Sequence, residues 1–353
     1  MKGAVALLSA LLSASLFHSA LADWTLAGRM AVPRVYHTAT ALPDGTVLVC
    51  GGYGGGRILD TAERFDPVTD RFRAAGRMTA AREYAAAAPL PGGQVLLTGG
   101  RSSDQMASTA EVYDPAGDAF LPLPAMVAPH GEHTATPLVD GRVLIAGGHT
   151  RVAEVFDPVY SRFAATAGIM AQARTGHTAA RLVDGRVLLA GGFSGSAYGG
   201  MVVASVELYD PASDSFTPAA PMTTPRYRHA AALLPDGRVL VAGGWSGREV
   251  LATAEVYDPG RGSWTLIESM QERRMGQTLT LLPDGAVLVA GGCPAGMTVR
   301  FDPITERFLA SGSLAEPRQG HSATLLRDGR VLVVGGYGAS ARASAEQWSG
   351  SGE

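Results

Sequence analysis

Short apolar runs alternate with polar turns along the chain, and this pattern recurs seven times. In the fifth repeat, an apolar run over residues 229–234 is followed by Pro235-Asp236-Gly237 and by a second apolar run over residues 238–242. Asp-Gly between two apolar runs predicts a β-hairpin, in which we expect positive φ at both central residues. Each second run ends in a double glycine, and these pairs lie 44 to 52 residues apart at Gly51-Gly52, Gly99-Gly100, Gly147-Gly148, Gly191-Gly192, Gly243-Gly244, Gly291-Gly292 and Gly335-Gly336. This spacing indicates a repeat architecture.

Each repeat also predicts a third and a fourth strand. In the fifth repeat the third strand covers residues 253–257 and ends at Asp258-Pro259, because proline lacks a ladder donor and Asp caps the turn. The fourth strand starts at an aromatic residue, which is Trp264 in this repeat. The corresponding residues elsewhere are Phe72, Phe120, Phe163, Phe216 and Phe308. Four antiparallel strands form the blade of a β-propeller. We expect the double glycine to let an aromatic side chain of a neighbouring strand pack on the backbone.

The two ends of the chain predict how the ring closes. The last repeat has three strands, over residues 321–326, 331–334 and 344–348, and lacks a fourth. Residues 24–30 form an isolated fourth strand whose sequence matches residues 264–270. We therefore predict an all-β, seven-bladed propeller that occupies residues 23–353 as one domain, with the N-terminal strand completing the last blade.

Residues 1–22 have the pattern of a signal peptide. Lys2 supplies the positive start, residues 5–17 the apolar stretch, and Ala20-Leu21-Ala22 the small-residue cleavage site. We predict cleavage after Ala22 and an exported protein, periplasmic or secreted, of 353 − 22 = 331 residues. Neither this stretch nor a later one reaches the roughly 20 apolar residues of a membrane helix, so we expect no transmembrane segment.

Charge and cysteine content exclude some partners. Without Lys2 the formal charge changes from −3 to −4, and all cations of the mature chain are arginines. Such a chain is not expected to bind nucleic acid, which requires a clustered basic face. Cys50 and Cys293 lie on non-adjacent repeats, so we predict two free thiols and no disulfide. We expect a monomer without a metal or other cofactor.

An Arg-x-x-His pattern precedes each first strand, which lines the propeller axis. Its last position is occupied by His37, Ala85, His133, His177, His229, Gln277 and His321. Its first position is occupied by Arg34, Arg82, His130, Arg174, Arg226, Arg274 and Arg318. We interpret the five imidazoles as a structural ring at one mouth of the channel, bonded to neighbouring backbone, and not as a metal site.

A repeated third-strand glutamate offers a partner for these arginines, at Glu63, Glu111, Glu154, Glu207, Glu255 and Glu346. The third repeat lacks the arginine, whereas the sixth lacks the glutamate and has Val299 instead. Because the two losses do not coincide, we expect networks shared with the backbone and not strict one-to-one pairs.

Positions that differ between repeats are better candidates for function. The residue before the ring histidine is Tyr36, Tyr84, Glu132, Gly176, Arg228, Gly276 or Gly320. The residue after the double glycine is Tyr53, Arg101, His149, Phe193, Trp245, Cys293 or Tyr337. We expect both sets to face the same mouth, near a Gly-rich insertion over residues 193–204. Aromatics mixed with Arg, Glu and His are typical of a binding platform for a sugar or a peptide. The alternative interpretation is that these residues only fill the surface.

The repeat resembles the kelch repeat over essentially the whole mature chain. The resemblance rests on the double glycine, the fourth-strand aromatic and the third-strand Tyr-Asp-Pro at Tyr113-Asp114-Pro115 and Tyr209-Asp210-Pro211. Part of the first repeat is also similar to the galactose oxidase family. There Arg34-Val35-Tyr36-His37 resembles the segment that supplies a copper-binding Tyr and His, and Tyr84 takes the position of the cross-linked radical tyrosine. The cysteine of that cross-link is not matched, since Cys50 ends a second strand and Cys293 lies in a loop.

The hypothesis that these features favour is an exported, non-enzymatic binding module with a protein or carbohydrate ligand at the propeller mouth. One alternative is a carbohydrate-active enzyme such as a sugar mutarotase or epimerase, with Glu132 and Arg228 as acid–base candidates. Another is a galactose-oxidase-like copper oxidase.

Overall fold

The computed structural model describes residues 23–103, 105–196 and 199–350, and its regular secondary structure there is entirely β. The predicted signal peptide, residues 1–22, lies outside the described residues. Within them, seven four-stranded antiparallel sheets form the blades of a propeller, and three two-stranded hairpins extend from it. The predicted all-β, seven-bladed fold is confirmed.

The first strands, which line the axis, are Thr38–Ala41, Ala86–Pro89, Thr134–Pro137, Thr178–Arg181, Ala230–Leu233, Thr278–Leu281 and Ser322–Leu325. The second strands are Val47–Cys50, Val95–Thr98, Val143–Ala146, Val187–Ala190, Val239–Ala242, Val287–Ala290 and Val331–Val334. The third strands are Ala62–Asp66, Ala110–Asp114, Glu154–Asp157, Val206–Asp210, Ala254–Asp258, Met297–Asp302 and Ser344–Ser349. The fourth strands are Arg71–Ala74, Ala119–Pro122, Arg162–Ala165, Ser215–Ala219, Ser263–Leu266, Arg307–Ser313 and, for blade seven, Asp23–Arg29. The small hairpins are Tyr53–Gly54 with Arg57–Ile58, Arg101–Ser102 with Gln105–Met106, and Phe193–Ser196 with Gly199–Val202.

The hydrophobic core lies between adjacent blades. Every second strand is buried along its whole length, because a blade covers it on each face. One cluster, for example, joins Leu240 and Val256 of blade five to Val287 and Phe301 of blade six. The same packing recurs around the ring and holds the blades together.

The N-terminal strand closes the ring as predicted. Asp23–Arg29 pairs antiparallel with Ser344–Ser349, which places Trp24 opposite Trp348. Trp24 is half-buried, and its indole N–H donates to Thr298 Oγ1 of blade six at 3.0 Å. The first and last strands of the described chain therefore share one sheet.

The turn between the first and second strands differs from the prediction. In blade one, the N–H of Gly45 donates to the carbonyl of Leu42 at 2.9 Å, and only Gly45 has a positive φ, of 89°. Asp44 keeps negative φ and accepts the N–H of Thr46 at 3.0 Å. The predicted hairpin is confirmed. Its turn is of the type that ends in a single glycine bulge, so the prediction of a positive φ at the Asp was wrong.

The double glycine makes room for an aromatic ring, as expected, and that ring is an axial imidazole and not a fourth-strand aromatic. A Cβ on the first glycine would collide with the ring residue of the following blade, as between Gly147 and His177 or between Gly291 and His321. The fourth-strand aromatics pack instead on the aromatic directly opposite on the third strand. Tyr257 and Trp264, for example, have ring centroids 5.0 Å apart. The double glycine thus makes room for the axial side chains.

The buried arginines share networks with the backbone, as predicted, since each also donates to backbone carbonyls. Contrary to the prediction, they also form one-to-one pairs with the glutamates in most blades. Arg226 Nη2 lies 2.8 Å from Glu255 Oε1, and both side chains are fully buried. The other arginine pairs are Arg34–Glu63, Arg82–Glu111, Arg174–Glu207 and Arg318–Glu346. In blade three His130 replaces the arginine and bonds Glu154 at 2.9 Å. The prediction failed because it counted His130 as a loss.

Cys50 and Cys293 are buried free thiols. Burial raises the pKa of Cys50 to about 12, which makes this thiol unreactive near neutral pH. The part of the chain that the structure describes contains no helix long and apolar enough to cross a lipid bilayer.

Candidate functional site

Seven backbone hydrogen bonds encircle one mouth of the channel. The N–H of each residue before the ring position donates to the carbonyl of its equivalent in the preceding blade, at 2.9–3.1 Å, and the last bond closes the circle. We call these residues the neck ring: Tyr36, Tyr84, Glu132, Gly176, Arg228, Gly276 and Gly320. Because this ring uses every one of their N–H groups, it fixes their backbone conformation.

That conformation is left-handed in all seven blades, with φ between 51° and 69°. Glycine adopts it without strain and is present in three blades, whereas a residue with a Cβ pays roughly 1 kcal/mol or more. Tyr36, Tyr84, Glu132 and Arg228 nevertheless occupy it in the other four. Retained strain of this kind points to a function of the side chains.

The four side chains converge, and Tyr227 joins them. Tyr36 and Tyr84 stack with ring centroids 4.1 Å apart and an interplanar angle of 22°. The Arg228 guanidinium lies 5.2–5.3 Å from the ring centroids of Tyr36, Tyr84 and Tyr227. It donates to the Tyr84 hydroxyl at 3.1 Å and pairs with Glu132 Oε1 at 2.5 Å, while the Tyr227 hydroxyl donates to Glu132 Oε2 at 2.8 Å. We call these five residues the mouth cluster.

The glycines of the neck ring leave space around this cluster. A Cβ at Gly176 would collide with the Tyr227 ring, and one at Gly320 would lie 2.7 Å from Tyr36. At Gly276 a Cβ would meet nothing closer than 3.4 Å, so the mouth is open on this side. The resulting cavity has a volume of about 290 Å³ and is also lined by Met275, Gln277 and Gln319.

The sequence analysis missed Tyr227, Met275 and Gln319. Each directly precedes a neck-ring residue. Tyr227 and Gln319 form β-bridges with Trp245 and Tyr337, the residues after the double glycines. Their variation between repeats was visible in the sequence and marks this third set as part of the same mouth.

Burial and neighbouring charges set the protonation states of Tyr84, Tyr227 and Arg228. Burial raises the pKa of Tyr84 and of Tyr227. Burial opposes the charge on Arg228, but the Glu132 carboxylate outweighs it and raises the Arg228 pKa. The tyrosines are therefore neutral hydroxyl groups and the guanidinium keeps its proton. Of the two acid–base candidates, Arg228 cannot act as a proton donor or acceptor near neutral pH.

Below the neck ring lies a layer of imidazoles, of which His37 is partly buried and His133, His177, His229 and His321 are buried. Each Nε2 bonds a hydroxyl of the preceding blade, at Ser322, Thr98, Thr134, Thr178 and Thr278 respectively, over 2.8–3.2 Å. We expected bonds to backbone, and backbone groups do act on His37, His229 and His321. The side-chain hydroxyls are further partners that we did not predict. In blade six the ring position is Gln277, and the preceding blade has Ala230, which lacks a hydroxyl, at the corresponding place. Gln277 donates instead to the Ala242 carbonyl at 2.6 Å. The layer therefore joins neighbouring blades.

Comparison with known proteins agrees with this repeat structure. Residues 33–79, 174–223 and 226–271 match the family model of the Kelch motif. The protein is a seven-bladed β-propeller that contains Kelch motifs. A novel fungal alcohol oxidase with catalytic diversity among the AA5 family, solved in complex with copper, superposes with a TM-score of 0.79 at 20% identity. The match covers 94% of the present chain and 76% of the oxidase chain, and at this identity it shows the fold. A search of curated proteins gave no match.

The mouth of this propeller does not fit a copper ion. The Arg228 guanidinium already places a positive charge among Tyr36, Tyr84 and Glu132, where a cation would have to bind. His37, the second residue of the copper-like pair, is partly buried, and its Nε2 bonds the Ser322 hydroxyl. Among the described residues, no group of three or more His, Cys, Asp or Glu is placed to hold a metal.

The residues after the double glycines lie on the same face but farther from the axis. Tyr53, Arg101, Phe193, Trp245 and Tyr337 each bridge to a residue just before the neck ring. None of these five, nor the exposed His149, lines the mouth cavity. The expectation that both sets share one face is confirmed, but only the first set surrounds the cavity.

Two of these outer residues lie beside the small hairpin that the Gly-rich insertion forms. Phe193 packs edge-on against Tyr227, with centroids 6.2 Å apart. Phe193 and Trp245 line a second depression of about 390 Å³ together with Met201. Residues 197–198 lie outside the described residues.

The buried histidines predict acid sensitivity. Burial lowers the pKa of His37, His229 and His321 to about 3, from 6.5. The unfolded chain therefore binds more protons between these values, and the free energy of unfolding should fall as pH drops from about 6.5 towards 3. Each such histidine contributes up to about 1.4 kcal/mol per pH unit.

Blade six has glutamine at the ring position, so His229→Gln places the same residue in blade five. We expect this variant to reduce the slope of the free energy of unfolding against pH by up to about 1.4 kcal/mol per pH unit. Urea unfolding across this pH range measures it. Equal slopes in the parent and the variant, or imidazole NMR signals of the buried layer that titrate near the unperturbed value, would show that the layer is not held neutral.

Proposed function

We propose that this kelch propeller is a non-enzymatic binding module whose ligand enters the mouth cavity and contacts the mouth cluster. The observation that carries the proposal is the set of four strained side chains in the neck ring. At Tyr36, Tyr84, Glu132 and Arg228 the chain retains a bulky residue where three other blades have glycine. Propeller stability alone does not require those side chains, because the backbone ring forms equally well through glycine.

The chemistry of the mouth suits a carbohydrate or a peptide segment. Tyr36 and Tyr84 provide aromatic surface and hydroxyl groups, and the Glu132–Arg228 pair provides a fixed acceptor and donor. A cavity of about 290 Å³ accommodates one sugar ring or one amino-acid side chain with its backbone. Kelch propellers commonly bind protein partners. A mutarotase is less well supported, since Arg228 cannot exchange protons.

A matched variant tests the site. Probing glycan and peptide arrays with the parent and with Tyr84→Gly should identify ligands whose binding the variant loses. We expect affinity to fall by about 1–3 kcal/mol, roughly 5- to 150-fold, as for an aromatic binding anchor. The melting temperature should change little, since relief of backbone strain offsets the lost stacking on Tyr36.

Ile304→Ala provides the control. Ile304 is 92% exposed in a turn on the opposite face of the propeller, so its truncation should leave binding intact. Ligands that Tyr84→Gly still binds with parental affinity would exclude the mouth cluster as the binding site.

We also propose that the protein is exported and that residues 1–22 are removed. The proposal rests on the charged start, apolar stretch and Ala20-Leu21-Ala22 site. Mass spectrometry of the protein expressed with its full N-terminus in a bacterial host should give a chain that begins at Asp23. An intact chain that begins at Met1 in the cytoplasm would contradict export.

A further inference from the structure

Most blades bury a carboxylate in a site built for an anion. In blade five, Glu255 accepts from Arg226 Nη2 at 2.8 Å and from the backbone N–H groups of Thr223 and Thr224 at 2.7 and 3.1 Å. Blades one and seven repeat this arrangement with an arginine and two backbone N–H groups. One buried cation and adjacent backbone N–H groups together form an anion site.

Blade six keeps the cation of this site but not the carboxylate. Val299 takes the glutamate position, opposite Val289, just as Glu255 lies opposite Val241. Arg274 is fully buried, and its Nη1 donates to the carbonyls of Gly291 and Met297 at 3.0 and 2.7 Å. This orientation is the one that Arg226 has in blade five.

The second terminal nitrogen of Arg274 has no partner. Among the arginines at this position in the described residues, only Arg274 has a buried Nη2 without a hydrogen bond. Glu272 and Cys293 lie near enough to act on Arg274 through their charge. Among the described residues, however, neither the buried Glu272 Oε2 nor Arg274 Nη2 has a hydrogen-bond partner. Burial lowers the pKa of Arg274, as it does for the paired Arg226 and Arg318, and the charges of Cys293 and Glu272 oppose this shift.

We propose that blade six binds a small monovalent anion, such as chloride, where the other blades bind their glutamate. The Arg274 Nη2 is the principal donor. The N–H groups of Gln271 and Glu272 hold the sequence positions that Thr223 and Thr224 hold in blade five. Such an ion has the charge and acceptor character of the missing carboxylate and compensates a buried cation that is otherwise costly.

The site adjoins the proposed binding cavity. Arg274 is followed directly by Met275, Gly276 and Gln277, which line the open side of the mouth. A bound anion therefore holds in place the segment at which a ligand enters. This inference does not depend on the proposed function, because its readout is stability.

Thermal unfolding at constant ionic strength tests the site, with sodium methanesulfonate replaced stepwise by sodium chloride. We expect the melting temperature of the parent to rise by about 2 °C or more and to saturate, as for a ligand that binds only the native state. Val299→Glu supplies the carboxylate covalently, so this variant should melt higher without chloride and no longer respond to it.

Three results would overturn the proposal. The first is an equal melting temperature of the parent in both salts, and the second is a full chloride response in Val299→Glu. The third is a response that appears only in Glu272→Gln, which would show that Glu272 compensates Arg274 in the parent. If Val299→Glu does not fold, crystals of the parent grown in sodium bromide decide the matter. An anomalous peak within hydrogen-bonding distance of Arg274 Nη2 supports the site, and its absence refutes it.

Discussion

Deletion of residues 23–30 should lower the free energy of unfolding by at least about 3 kcal/mol. The deletion removes the fourth strand of blade seven and leaves Ser344–Ser349 as an unpaired edge. It also removes the half-buried Trp24 and the buried Met30 from the cores that join blade seven to its neighbours. Loss of one large buried side chain alone typically costs a few kcal/mol. Urea unfolding of the parent and the truncated protein measures the difference.

Leu26→Ala is the control for this deletion. Leu26 lies in the same strand, but its side chain is 69% exposed, so the substitution keeps the backbone pairing and should cost less than about 0.5 kcal/mol. A truncated protein with the parental urea midpoint would contradict closure of the ring by the N-terminal strand.

Replacement of Glu255 by Ala should cost about 3–5 kcal/mol. It leaves Arg226 as a buried cation without a counter-charge and removes the acceptor of the Thr223 and Thr224 N–H groups. Chemical denaturation again gives the value. Asp236→Ala, which breaks the exposed Arg238–Asp236 pair in the same blade, should cost less than about 1 kcal/mol. If Glu255→Ala lowered the free energy of unfolding by as little as Asp236→Ala does, the buried pairs would contribute little to the stability of the fold.

The fold was predictable from sequence because its determinants are local. Hairpin turns, strand runs and double glycines recur in each repeat, and a strand pattern at each end of the chain indicated the closure. The partners of the axial residues were harder to predict, because they depend on contacts between blades. His177, for example, bonds Thr134 of the preceding blade, and only the packed ring brings these residues together. His130 was counted as a lost arginine although its two nitrogens reproduce the arginine bonds to the double glycine and to the glutamate.

The candidate site was predictable in part. Tyr36, Tyr84, Glu132 and Arg228 stood out because they vary between repeats, and the structure brings them into one cluster. Glycine in three blades at the same position was a sequence signal for positive φ. The outer residues could not be separated from the cavity by sequence, because a β-bridge places Trp245 beside Tyr227 and away from the axis.

A crystal structure of the complex with the ligand found on the arrays tests the central claim most directly. The account predicts ligand density in the mouth cavity, in contact with Tyr84 and within hydrogen-bonding distance of Glu132 or Arg228. Ligand density confined to the opposite face, around the turns that contain Val183 and Ile304, with the mouth cluster unchanged, would contradict it.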